Sequence, residues 1–290
     1  MSEVKKSFSS YSFGKWEAFL SAVFLLNKEN RTYIRDLKHF GPLRIQRLFY
    51  EGDVAHLYLL HPPGGIVSGD SLLFEFNFGK KTKAVITTPS ATKIYQARSN
   101  ISLQQQKTVV VIKEGAEISF LPQETIVFNN AFAQSIVDIF VKQGSTFFGW
   151  DIVVLGRQSS NEEFLEGSYE SQINLYIDDV LKFRDSNLFD GSISSKSVAG
   201  LNGNSISGTC LCVLKNPDKL SELLSKLRSG LPALTSDILW SVTNFRESII
   251  ILRVIGSSLQ KVKQLFEFAW LSIFKYFCNG EPVSPRIWST

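Results

Sequence analysis

The chain repeats one short turn three times, as Phe76-Asn77-Phe78-Gly79, Ile112-Lys113-Glu114-Gly115 and Val141-Lys142-Gln143-Gly144. Each copy has an apolar residue, two further residues of which at least one is polar, and a glycine that can supply the positive φ of a tight turn. The glycines lie 36 and 29 residues apart, which is too irregular for a strict repeat. The turns therefore favour a β-helix-like, solenoid-type stack and a β-sandwich about equally.

The sequence around these turns is β-like. From Lys15 to Leu155 it consists of short β-branched and aromatic runs separated by Gly, Asn and charged residues, and no long stretch has a helical period. The Ser/Gly/Asn-rich segment Gly191 to Gly208 offers few core residues and predicts loops or edge hairpins. The pattern predicts a mainly β body over residues 1–206.

The last third of the chain has a different pattern. Strand-like runs alternate there with two helical stretches, the first stopped by Gly230 and the second opened by Ser258. The strand-like runs are Thr209 to Leu214, Ile238 to Val242 and Ile249 to Val254. Residues 207–290 are therefore predicted as a β-α-β-β-α unit with two helices, packed on the body as part of one continuous structure.

The composition excludes several classes of protein. The 31 basic and 27 acidic residues are spread along the chain, so we expect no nucleic-acid partner. Three cysteines form an odd set in a large chain, which favours a reducing, cytoplasmic location. The apolar stretch Leu265 to Phe277 is too short for a membrane span and is interrupted by Glu267 and Lys275, so we expect no membrane association.

The stretch His61-Pro62-Pro63-Gly64-Gly65-Ile66-Val67-Ser68-Gly69-Asp70 has the most distinctive sequence. Gly64 and Gly69 have phosphate-loop spacing, but Asp70 stands where a lysine is needed and would repel phosphate. The prolines fix φ, so the stretch can be simply a rigid turn. His61 and Asp70 also supply an imidazole and a carboxylate, which suit a borderline divalent metal such as nickel.

Other candidate sites are weaker. Cys210 and Cys212 alternate with apolar residues on a strand, so both thiols face one side, either as soft-metal ligands or, more simply, as small core residues. The spacings typical of closed zinc sites are absent, and so is the Gly-x-Ser-x-Gly pattern of serine hydrolases. The residues alone therefore indicate neither a closed zinc site nor a serine-hydrolase triad, and they single out no catalytic residue.

Several stretches of the sequence, in this order, resemble the UreD (UreH) family of urease accessory proteins. They are Gly41-Pro42-Leu43 through Arg47, Tyr58 through Val67, Thr87-Thr88-Pro89 through Tyr95, Leu121 through Ile126, Trp150 through Val153 with Leu155-Gly156-Arg157, and Pro285-Arg286-Ile287-Trp288-Ser289-Thr290. The match is densest from residue 41 to 157 and resumes at the C-terminus. Residues 158–284 agree in pattern more than in identity.

The resemblance implies a non-enzymatic scaffold that binds apo-urease. With the F and G accessory proteins, G being the GTPase, it would help to load nickel into the urease active site. The family is associated with a largely β, helical-stack fold and an internal ion path, and on that basis we expect a β-helix-like body. The implied cofactor is transient nickel, with nothing tightly bound. Family motif positions place these residues near the path: Asp70, Asp151, Thr92, Lys93 and, more weakly, His61.

One departure from the family pattern and two other functions remain open. Ser68 stands where many relatives carry a third glycine, and a turn demanding positive φ there would be modestly strained. A carbohydrate-active enzyme on a β-helix would need clustered carboxylates and aromatic platforms, for which the five tryptophans could serve. A purely structural interaction protein could have the same sequence features.

Overall fold

A computed structural model describes residues 16–98, 102–216, 218, 220–246, 248–277 and 284–289. Within these ranges most of the regular structure is β. The strands are β1 Glu17–Leu26, β2 Thr32–Phe40, β3 Arg44–Ile45, β4 Phe49–Glu51, β5 Val54–Leu60, β6 Gly65–Ile66, β7 Ser71–Phe78, β8 Lys83–Thr87, β9 Thr92–Ile94, β10 Gln104–Ile112, β11 Glu117–Leu121, β12 Thr125–Val127, β13 Ala131–Val141, β14 Thr146–Leu155, β15 Gly167–Ile177, β16 Val180–Asp190, β17 Ile206–Val213, β18 Ile238–Phe245 and β19 Ile249–Gly256. The helices are α1 Gly191–Lys196, α2 Leu220–Gly230 and α3 Leu259–Phe277. The mainly β prediction is confirmed.

The strands form two open sheets. Sheet one has the order β16-β15-β13-β10-β7-β1-β2, and its inner strands are parallel to one another. Sheet two runs β18-β19-β17-β14-β11-β8-β5-β3, with β5, β8, β11 and β14 parallel. The short strands β6, β9 and β12 form a parallel row that joins the second half of β14. The chain therefore passes repeatedly, in one direction, from sheet two through a short strand to sheet one.

The core lies between the two sheets, because alternate residues on each strand point inward. On β7, Leu72, Phe74, Phe76 and Phe78 are buried while the residues between them are partly exposed. Strand β14 is buried on both faces, since one face meets the core and the other meets the helices. This double burial explains its almost uniformly apolar sequence.

The three glycine turns connect sheet one to sheet two, at the ends of β7, β10 and β13. Gly115 and Gly144 have φ of +72° and +80°, as predicted. Gly79 does not have positive φ, so the prediction was wrong there. A Cβ at Gly79 would lie 2.5 Å from the Leu25 side chain, and Lys81 takes the left-handed conformation instead. At Gly79 the glycine is needed for close packing.

The C-terminal third has the predicted order β17-α2-β18-β19-α3. Helices α2 and α3 cover the outer face of sheet two, where Leu223, Leu227, Val262 and Phe266 are buried in a second apolar cluster. The prediction of loops for Gly191 to Gly208 was wrong at its two ends, which form α1 and the start of β17. Among the described residues no helix has the length and apolar character needed to cross a membrane.

Cys210 and Cys212 are free thiols buried in the second cluster, which supports core packing. Burial raises the pKa of both thiols, and the thiolate is the reactive form. Cys278 lies outside the described residues. In a Cys278→Ser variant we expect a water-soluble disulfide reagent to label neither remaining thiol in native buffer and both in 6 M urea, measured by absorbance. Labelling in native buffer at the rate seen in urea would contradict this burial.

Candidate functional site

The most distinctive feature of sheet two is the row of corners where its strands turn toward the short strands. The corners are residues 61–64, 88–91 and 122–124, and they stack because the strands on either side of them are in parallel register. Residues 150–152 of β14 lie beside the last corner, between the parts of β14 that pair with β11 and with β12. We call residues 61–64, 88–91 and 122–124 the corner column.

A cavity of about 320 Å³ lies inside the corner column, between the two sheets. The corners supply one side of its lining, and the exposed Pro62 and Ser90 mark its opening. The inner faces of the strands supply apolar walls, with Leu72, Phe74, Val137, Ile139, Ile173 and Leu211 among them. The cavity is therefore a partly apolar chamber with a polar corner at its mouth.

Asp151 on β14 provides a carboxylate at the cavity wall. The Ser171 hydroxyl donates a hydrogen bond to Asp151 Oδ2. Burial raises the pKa of Asp151, the bond from Ser171 opposes this, and the nearby charge of Asp185 raises it further. Within the described ranges no Lys, Arg or His lies within ion-pair distance of Asp151. Its carboxyl group therefore faces the cavity without a compensating cation among these residues.

Hydroxyl groups surround this carboxylate. Tyr169 is fully buried, and its oxygen has no hydrogen-bond partner of good geometry among the described residues, although the Ser135 and Thr125 hydroxyls lie beside it. Burial and the Asp151 charge raise the pKa of Tyr169. Ser135 and Thr125 also line the cavity. The interior thus offers one carboxylate and several neutral oxygen donors.

His61 lies at the mouth of the cavity, in the first corner. Burial lowers the pKa of His61, and the charge of Asp70 partly offsets this. Asp70 itself is only 4% exposed, and its carboxylate accepts hydrogen bonds from the backbone N–H groups of Val67 and Trp16, at 3.0 and 3.2 Å. The charge of Asp70 therefore acts on His61, but the Asp70 carboxylate oxygens already accept the hydrogen bonds that hold the turn.

The sequence matches the family described as "UreD urease accessory protein" over residues 17–289. The chain belongs to the UreD family. A urease accessory protein UreD from Saccharophagus degradans is 35% identical over 92% of this chain and 91% of its own length. The urease accessory protein UreD of Escherichia coli is 33% identical over 97% of this chain and all of its own length. UreD proteins are accessory proteins, so this chain is not an enzyme. The alternative of a carbohydrate-active enzyme on a β-helix is therefore wrong.

The structure brings three of the five motif residues implied by the UreD resemblance to one cavity: His61, Thr92 and Asp151. Asp70 and Lys93 do not line it. Lys93 is exposed, because alternation along β9 turns it away from Thr92. Ser68 lies outside the left-handed region, and its hydroxyl accepts a hydrogen bond from the Arg98 N–H at 2.6 Å. The serine therefore causes no strain.

The sequence did not single out the hydroxyl residues near Asp151, of which Ser135 and Thr125 line the cavity while Tyr169 and Ser171 lie beside it. Their only signal is a polar residue at an inward-facing position of an otherwise apolar strand, and that signal depends on knowing which face is inward. Among the described residues no group of three or more His, Cys, Asp or Glu side chains is close enough to hold a metal ion. Of these four residue types, the cavity lining has His61 and Asp151.

We expect His56 on β5 to make the stability of the protein depend on pH. It is 2% exposed, and its Nδ1 has no hydrogen-bond partner among the described residues. Burial lowers its pKa, and the charge of Glu51 only partly opposes this. The unfolded chain therefore binds this proton more readily, so stability falls as pH decreases below the ordinary histidine value of about 6.5. We expect the wild type to lose stability in urea melts between pH 7 and pH 5.

A His56→Leu variant should lose less stability over the same pH interval, because it has no proton to bind at that position. The matched control is His39→Leu, which removes an imidazole at an exposed position instead of a buried one. Equal slopes for the wild type and His56→Leu would contradict the assignment.

Proposed function

We propose that this chain is a nickel-delivery scaffold in urease maturation. In this proposal it binds apo-urease and, with the F accessory protein and the GTPase G, supports nickel insertion into the urease active site in the cytoplasm. The cavity beside the corner column is the path of the ion, and Asp151 is its principal carboxylate. The UreD membership supports the role in maturation, and the cavity supports the path.

The observation that carries the path is a partly buried carboxylate at a cavity wall, without a cationic partner among the described residues. Such a charge is costly unless something compensates it, and a divalent cation with its water shell would do so. Carboxylate, hydroxyl and water oxygens and one imidazole suit a borderline ion such as nickel. Because few of these ligands converge, binding would be weak and the ion could be passed on.

The topology supports describing the body as β-helix-like. Four consecutive passes of the chain place parallel strands in register in both sheets, and the corners stack between them. A stack of this kind keeps equivalent positions in rows, so corners from separate parts of the sequence can line one continuous cavity.

Two measurements test the two parts of the proposal separately. The scaffold part is tested by mixing the purified chain with apo-urease and the F protein and following complex formation by size-exclusion chromatography. We expect one complex containing all three. If the chain elutes alone from both partners, the scaffold role is wrong.

The path part is tested by reconstituted urease activation with nickel, GTP and the F and G proteins, with and without this chain. We expect urease activity to rise only slowly without the chain and to rise with it. An Asp151→Ala variant that joins the complex normally should give low urease activity. Normal activation by such variants would leave the scaffold intact and contradict the path.

A further inference from the structure

A second cavity, of about 240 Å³, lies on the outer side of the corner column. Pro89, Pro122, Gln123 and Trp150 line both cavities. The outer cavity is closed on its other side by α3 and by the C-terminal segment, through Lys263, Glu267, Ile287 and Trp288. The corners at 88–91 and 122–124 therefore form a thin wall between two spaces.

This part of the wall has few backbone hydrogen bonds. Pro89 and Pro122 have no N–H to donate, and within the described ranges no backbone hydrogen bond joins 88–91 directly to 122–124. The nearest backbone bond is from the Thr92 N–H, where β9 begins, to the Glu124 carbonyl at 2.9 Å. Side chains hold the corners instead. The Gln123 N–H donates to the Thr88 hydroxyl at 2.9 Å, and the Trp150 indole donates to the Pro122 carbonyl at 2.8 Å. A wall fastened mainly by side chains can open without breaking a sheet.

The C-terminal segment, residues 284–289, is attached to this wall from outside. The Trp288 indole donates to the Thr87 hydroxyl at 2.9 Å, and Thr87 in turn donates to the Leu121 carbonyl at 2.6 Å. The Trp288 ring lies 5.8 Å from that of Trp150 and 6.1 Å from that of Trp270. The Trp288 side chain thus links the ends of β8 and β11, which precede the two corners, to Trp150 in the wall.

Two further contacts hold the segment in place. The Ser284 hydroxyl donates to Glu267 Oε1 on α3 at 2.6 Å. The backbone N–H groups of Arg286 and Ile287 face the Tyr58 oxygen on β5, which partly offsets the rise in the pKa of Tyr58 caused by burial. Each of these attachments is a single side-chain or backbone contact, and none is part of a β-ladder.

We propose that residues 284–289 are a latch that closes a second opening of the inner cavity, between the corners at Pro89 and Pro122. When the latch is released, the two cavities join and the inner one gains an outlet on the side of α3. The outlet is a property of the fold and does not depend on the identity of the occupant. Its use as the second end of an ion path rests on the proposed function.

Access to the inner cavity tests the latch. Ser135→Cys places a thiol on the cavity wall, in a Cys278→Ser background where the other two cysteines are buried. Ala91→Phe is added to narrow the known opening. We expect methyl methanethiosulfonate to label this thiol slowly, and Trp288→Ala to speed labelling at least about tenfold, followed by mass spectrometry. Trp288→Phe keeps an aromatic ring and loses the bond to Thr87, so its rate should be intermediate.

Unchanged labelling in a folded Trp288→Ala variant would overturn the latch. Hydrogen exchange of the wild type gives a second measurement that needs no variant. Residues 284–289 and the corners at 88–91 and 122–124 should exchange together, and faster than β11 and β14. Exchange of the C-terminal segment as slow as that of these strands would also overturn the proposal. Faster labelling with unchanged nickel activation would keep the latch and contradict only its role in the path.

Discussion

Asparagine at position 151 is expected to lower reconstituted urease activation about tenfold while leaving the protein at least as stable as the wild type. The amide has nearly the shape of the carboxylate and can still accept a bond from the Ser171 hydroxyl, but it carries no charge. A raised carboxyl pKa means that ionised Asp151 opposes folding at neutral pH. Removing the charge therefore relieves a cost to folding and removes the attraction for a cation.

Urea melts and the activation assay, run on the same preparations, separate these two effects. As pH falls through the raised pKa, the wild type should gain stability relative to Asp151→Asn, since its carboxyl group then becomes neutral too. The matched control is Glu114→Gln, which removes an exposed carboxylate paired with Lys80 and should change neither quantity measurably. Loss of activation together with loss of stability would show that Asp151 acts through the fold.

The sequence predicted the strand-rich body and the C-terminal helices well, because both depend on local periodicity. The leucines at 220, 223, 224 and 227 have helical spacing whatever their surroundings, and their helix was found where it was expected. The arrangement of the sheets could not be derived in this way. Whether β10 lies between β7 and β13 depends on contacts between residues far apart in sequence.

The candidate site was predictable only through family motifs, and then in part. Asp151 is one polar residue in an apolar strand, a pattern that predicts a buried group needing a partner but does not identify the partner as Ser171 on β15. Lys93 and Thr92 are adjacent in sequence, yet strand alternation puts them on opposite faces. The contact of Trp288 with Thr87 joins residues 201 positions apart, and no local signal predicts it.

Alanine at position 70 is expected to destabilise the protein by roughly 3 kcal/mol. The Asp70 carboxylate accepts bonds from the Val67 and Trp16 N–H groups, and it is almost fully buried. Its removal would leave two backbone donors without an acceptor and loosen the start of β1 and the turn before β7 together. Asp70→Asn keeps one acceptor oxygen and should lose about half as much.

Urea denaturation measures this effect, and Asp53→Ala is the control. Asp53 is a half-exposed carboxylate paired with Lys83, so its loss should cost less than about 1 kcal/mol. The result also decides between two roles for Asp70. A stable Asp70→Ala variant with lost activation would place Asp70 on the ion path despite its position behind the cavity wall. A destabilised variant whose remaining folded fraction activates urease normally would identify Asp70 as the residue that holds the His61–Asp70 turn in shape.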